Sequence, residues 1–271
     1  MQDTSQSVRG ILFAADPALD GPAGEFAQGL FAGNVELASY PYDRLGRVEE
    51  IARETDAGLI VLAVPADEDG HIDPRSTFGH VSLDSDVPVL VLRVPAGEEP
   101  RFGPIDRIVV PLDGSATAAQ AIPLASRLAR MGNLPVQFVM VIDPSRVIPA
   151  AYAYDPEAWG IISDLRQTAH WALRQSEDQL RKDGVEVHSD LLFGPVNACL
   201  TENVQDGDLI VMTTHGSGRA SRRRVGSVAE RVLAVTPQPI VIMRGAIQAD
   251  VVVEGYEACS WVEPLHNRGR A

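Results

Sequence analysis

From residue 105 onward, short and almost wholly apolar runs alternate with longer stretches in which apolar residues recur every three or four positions. Residues 108–112, 136–142, 185–193, 209–213 and 239–243 read as strands, and residues 117–131, 155–183, 197–205 and 227–236 as helices. The long helix opens on Asp155, a capping residue, with Pro156 in the first turn, and brings Ile162, Leu165, Ala169, Ala172 and Leu173 near one face. Trp159 and Trp171 lie twelve apart on the same pattern and read as packing residues. Continuous apolar strands separated by helices predict an α/β fold with an open parallel sheet covered on both faces. In such sheets ligands sit at the carboxyl ends of the strands, near the point where strand order reverses.

The first hundred residues are a shorter echo of this pattern. Residues 9–16 (RGILFAAD) parallel 107–113, residues 56–62 (DAGLIVL) parallel 207–212, and residues 86–93 (DVPVLVLR) parallel 238–244. A Pro- and Gly-rich stretch, PAGEEPRFGP at 95–104, separates the copies. The expected organisation is a first domain over residues 1–97, a second over 103–245 and a tail over 246–271. The tail begins with VVVEGYE at 251–257, which reads either as an added strand covering a sheet edge or as a loosely ordered end.

Composition narrows the classes of function. The chain has 271 residues, 45% of them hydrophobic, and a formal charge of −14. So acidic a molecule would repel nucleic-acid phosphates, so no nucleic-acid partner is expected. No run approaches the roughly 20 apolar residues of a membrane span, and the start MQDTSQS lacks the basic and apolar parts of a signal peptide. A cytoplasmic protein without membrane attachment is the expectation. Cys199 and Cys259 then read as reduced thiols, and the histidines show no ligand-like clustering, so no protein-held metal is expected.

The chemistry concentrates in the second copy. The strand at 209–213 runs into MTTHGSGRASRRRVGS over residues 212–227, and a helix pattern follows at once. Glycines let a backbone approach an anion, and the amides at a helix start hold it, so this is a phosphate-cradle pattern. Arg219, Arg222, Arg223 and Arg224 lie inside the loop; they read as a solvated segment or, at Arg222 in particular, as a counter-charge to polyphosphate. About one hundred residues earlier, IVVPLDGS at 108–115 ends a strand in Pro111, Asp113 and Gly114. The first copy has no such spacing: residues 65–80 read PADEDGHIDPRSTFGH, with Asp67, Glu68, Asp69 and Asp73 to repel a polyphosphate. The single lysine, Lys182, lies outside the loop, which excludes a P-loop ATPase.

Gly216 and Gly226, with nine residues between them and Ser227 following, resemble the G-x2-G-x9-G-(S/T) nucleotide loop of the universal stress protein family, with Thr213 where that pattern has its first glycine. The Pro-x-Asp-Gly-Ser turn resembles the family's first strand end. The resemblance covers about 140 residues of the second half by motif, and the first half by strand pattern only. It implies a Rossmann-like sheet of five parallel strands in the order 3-2-1-4-5, as in adenine nucleotide alpha hydrolase-like folds, with a degenerate first domain. It further implies a nucleotide site of Pro111, Leu112, Asp113, Val141 (as the adenine wall), Met212, Thr213, His215, Gly216, Arg222, Gly226, Ser227 and Val228. The ligand it implies is ATP, AMP or ADP, with magnesium where phosphates bring it. Asp113 reads either as a nucleoside contact or as an Asx-type cap. His215 reads as a loop-ordering donor, and no catalytic residue is nominated. The family also pairs domains through the last strand; here the runs at 87–94 and 239–244 are available to each other, giving an internal pseudo-dimer, with a further homodimer conceivable. The function so implied is a nucleotide-binding regulatory protein of the stress response, acting on an unidentified protein partner. The alternatives are a nucleotide-free scaffold and a slow ATP hydrolase.

Overall fold

The computed structural model describes residues 8–67, 72, 87–95, 102–148, 156–215 and 227–245. Nine strands form one sheet: β1 (Val8–Ala14), β2 (Val35–Pro41), β3 (Leu59–Ala66), β4 (Val89–Pro95), β5 (Arg107–Leu112), β6 (Val136–Ile142), β7 (Val187–Phe193), β8 (Asp208–His215) and β9 (Ile240–Gly245). Their order is β2-β1-β3-β4-β9-β8-β5-β6-β7. Every pairing is parallel except β4 with β9, which is antiparallel through Val89↔Ile242, Leu90↔Val241 and Val91↔Ile240. The two edge runs that the sequence offers for pairing therefore pair with each other, and the second half has the 3-2-1-4-5 order.

Eight α-helices cover the sheet: α1 (Asp20–Leu30), α2 (Val48–Glu54), α3 (Ala116–Ala119), α4 (Ala121–Gly132), α5 (Pro144–Val147), α6 (Pro156–Lys182), α7 (Val196–Asn203) and α8 (Ser227–Val235) among the described residues. One apolar layer packs Ala23 and Ala27 of α1, Ala125 and Leu128 of α4 and Leu173 of α6 against one face. The other packs Ile51 of α2, Leu200 of α7 and Val232 and Leu233 of α8 against the opposite face. Both layers run across the β4–β9 junction without a break, and Ile72 of the first half joins the second of them, its N–H donating to the Ala234 carbonyl at 3.3 Å.

By sheet position, β1, β3 and β4 correspond to β5, β8 and β9, which are the three echoes in the sequence. Among the described residues the first half has no counterpart of α6 and β7. Three local readings differ. The helix expected over residues 117–131 is two, α3 and α4, because Pro123 has no N–H for the Ala119 carbonyl and crowds it. Trp159 and Trp171 are 64% and 47% exposed rather than packed, since the face of α6 that meets the sheet is the line through Ala169, Leu173 and Leu180. Strand β2, absent from the sequence reading, is an edge strand buried fully only at Val35, so its apolar signal is thin.

Candidate functional site

Strand β5 pairs β6 up to Leu112↔Met140, but pairs β8 only up to Val109↔Ile210. Strand order reverses at β5, so beyond Ile210 the neighbouring ends of β5 and β8 part and leave a cleft at the switch point. The cleft holds about 310 Å³ and is lined by Pro111, Leu112, Asp113, Ala118, Val141, Arg146, Val196, Leu200, Met212, Thr213, Val228 and Ala229. Seven of the residues nominated from sequence meet there: Pro111, Leu112, Asp113, Val141, Met212, Thr213 and Val228. The backbones of His215 and Ser227 end β8 and begin α8 respectively. Gly216, Arg222 and Gly226 lie outside the described residues.

The turn after β5 is set locally. Gly114 has φ +81°, a left-handed conformation that suits glycine. The Asp113 Oδ1 accepts the Ser115 N–H at 2.9 Å, and the Ser115 Oγ caps α3 by accepting the Ala118 N–H at 3.1 Å. Asp113 is thus an Asx-type turn residue that also lines the cleft. Its two sequence readings are compatible.

Thr213 is 8% exposed, and its hydroxyl donates to the Thr117 carbonyl at 2.9 Å. The methyl of Thr117 in turn occupies the space that a Cβ at Gly245 would fill. Where the nucleotide-loop pattern has a glycine, this chain uses a threonine to fasten α3 onto the ends of β8 and β9.

Arg146, Val196, Leu200, Ala118 and Ala229 were not nominated from the sequence. Val196 and Leu200 belong to a short helix with a weak apolar face, and only its docking beside β6 brings them to the cleft. Arg146 follows β6 through a capped turn, in which the Asp143 Oδ1 accepts both the Ser145 N–H at 3.1 Å and the Ser145 hydroxyl at 2.6 Å. Capping of a strand-end helix by Asp-Pro was a legible signal; its convergence with Asp113 was not.

Cys199 lies on α7, one residue before Leu200. Burial foremost, then the charges of Glu202 and Asp143, push its thiol above the ordinary cysteine value. Since the thiolate is the nucleophile, Cys199 is expected to alkylate more slowly than a free thiol at pH 7–8, with a rate that rises with pH. Peptide mass spectrometry of an iodoacetamide time course checks this; modification as fast as that of a free thiol at neutral pH would contradict it.

A model described as the universal stress protein family matches residues 104–244. A universal stress protein of Methanocaldococcus jannaschii is 31% identical over 143 residues, spanning 51% of this chain and 81% of that protein. One from Mycobacterium tuberculosis is 26% identical over 142 residues, 52% of this chain but only 48% of its own length. Among solved structures, a functionally unknown protein from Pseudomonas aeruginosa PAO1 covers 89% of this chain and 94% of its own at 14% identity, with a TM-score of 0.62. That likeness concerns the fold alone.

Proposed function

We propose that the cleft holds the nucleoside part of an adenine nucleotide, starting from the fact that this chain belongs to the universal stress protein family. The observation that carries the reading is convergence. Pro111, Asp113, Val141, Thr213 and Val228, drawn from four separate elements or their ends, line one cleft where two parallel strands part. A volume of about 310 Å³ stands at the small end of the range of about 300–1,000 Å³ for small-molecule sites, and it suits a nucleoside with its phosphates outside. Val141, Val196 and Leu200 offer the base an apolar wall, and Asp113 offers an acceptor for ribose hydroxyls. By sequence, residues 216–226 join the end of β8 to the start of α8, so Gly216, Gly226 and Ser227 would present backbone amides to the phosphates, with Arg222 as counter-charge. A magnesium ion would arrive on the polyphosphate rather than on protein ligands.

The role is occupancy rather than turnover: a cytoplasmic regulatory protein whose ligand state is read by a partner or by a further copy of the chain. A nucleotide-free scaffold is the second reading, favoured by Thr213, whose side chain is spent on the fold where the pattern calls for glycine. Calorimetric titration of ATP with magnesium, and of AMP, into the wild type and Gly226→Asp separates the two. Aspartate there sets bulk and negative charge against the phosphates, so affinity for ATP is expected to drop tenfold or more with the melting curve unchanged. A folded wild type that takes up neither nucleotide would establish the scaffold.

A further inference from the structure

The polar inventory of the described lining is short. Among the described residues that line the cleft, the side chains able to form hydrogen bonds are Asp113, Thr213 and Arg146. The Thr213 hydroxyl has given its proton to the Thr117 carbonyl. Asp113 can only accept. Among the described residues of this lining Arg146 is the one cation and the richest source of donors, with five N–H groups in a plane.

That plane is loosely held. Its Nε lies 3.5 Å from the Asp143 Oδ2, well beyond the roughly 2.7–2.9 Å of a charge-assisted bond, and the side chain is 66% exposed. Asp143 itself is occupied by both the backbone and the hydroxyl of Ser145. The turn is therefore fixed while the guanidinium above it can move. Its place is also specific. Arg146 follows β6, the strand of Val141, whereas Thr213 and Val228 of the same lining belong to β8 and α8.

No aromatic ring lines the described cleft; its apolar wall is aliphatic throughout, apart from the thioether of Met212. A nucleobase seated there would have methyl groups on one face and, among the described residues, no ring against the other. We infer that Arg146 turns from Asp143 to lay its guanidinium plane on the outer face of the base, acting as the stacking partner that the described lining otherwise lacks and favouring ligands with a flat aromatic head. This rests on the nucleotide reading above. Guanidinium groups stack on π-faces through their planarity and their charge together, which an ammonium reproduces only in part.

Calorimetry with AMP, ADP and ATP, each titrated into wild type, Arg146→Ala and Arg146→Lys, tests the role. Arg146 is exposed on a four-residue helix, so both variants are expected to melt as the wild type does. Stacking on the base predicts that Arg146→Ala weakens all three ligands by the same factor, roughly fivefold, and that Arg146→Lys recovers little of it. A loss that grows with the number of phosphates and is restored by lysine would overturn the inference, making Arg146 a phosphate counter-charge. Unchanged affinity for all three would overturn it equally. A wild type that binds none of them would overturn the nucleotide reading itself, and this inference with it, before any variant is compared.

Discussion

Asp208→Ala is expected to lower the free energy of unfolding by about 3–5 kcal/mol, the usual result of stripping one partner from a buried ion pair. Asp208 opens β8 and is 1% exposed; Arg107 opens β5 and sits beside it in the parallel register. The Arg107 Nε donates to Asp208 Oδ1 at 2.6 Å and its Nη2 to Oδ2 at 2.9 Å, while the Gln205 N–H donates to Oδ2 at 2.7 Å. The hydrogen bond to Asp208, and after it the attraction of that carboxylate, hold the guanidinium above its ordinary value. Alanine would leave a guanidinium only 25% exposed without its counter-charge, and a backbone N–H without an acceptor. Urea denaturation should show the midpoint falling with the slope unchanged. Replacing both residues with leucine should recover much of the loss, because the desolvation of both charges disappears with the pair. A loss below about 1 kcal/mol would mean that the pair behaves like a solvated surface bridge. The pair lies at the amino ends of its strands, away from the cleft, so the ligand affinity of the folded protein should not change.

Arg93→Ala is expected to cost about 2–4 kcal/mol and to loosen the seam between the two halves first. Arg93 comes from β4 in the first half, is 6% exposed, and donates its Nη1 to the Gln238 carbonyl at 2.9 Å and its Nη2 to the Leu233 carbonyl. Both acceptors belong to the second half, one in the last turn of α8 and the other in the approach to β9. Burial pulls the guanidinium down to about 10, which still leaves it charged at neutral pH. A cation at the carboxyl end of a helix meets the negative end of its dipole, and this offsets part of the cost of burial. Alanine leaves two carbonyls unpaired in an apolar layer and a void where the side chain stood. Hydrogen exchange locates the effect: amides of β4 and β9 should lose more protection than those of β5 and β6. Equal loss throughout the sheet would show that the junction does not depend on Arg93.

The elements of the second half were legible because their signals are local. Strands β5, β6, β8 and β9 are nearly unbroken apolar runs, and α6 repeats its apolar residues at helical spacing over 27 residues. Where the signal was two-sided, reading by spacing failed. Trp159 and Trp171 sit on a helix whose docked stripe is too narrow to include them, and periodicity marks a stripe without its width. Strand β2 carries little apolar signal because an edge strand is covered on fewer sides.

The sequence by itself determined the alternation of strands and helices, the repeat, the turn at Asp113 and Gly114, and the glycine spacing after β8. Each follows from the backbone preferences and periodicity of neighbouring residues. The tertiary structure alone decided that the β4–β9 pairing is antiparallel, that Thr213 serves α3, that Arg93 reaches Leu233 some 140 positions away, and that Arg146 stands at the same cleft as Asp113. Those are contacts between residues far apart in the chain, and they exist only once burial of the two apolar layers has fixed how the elements pack.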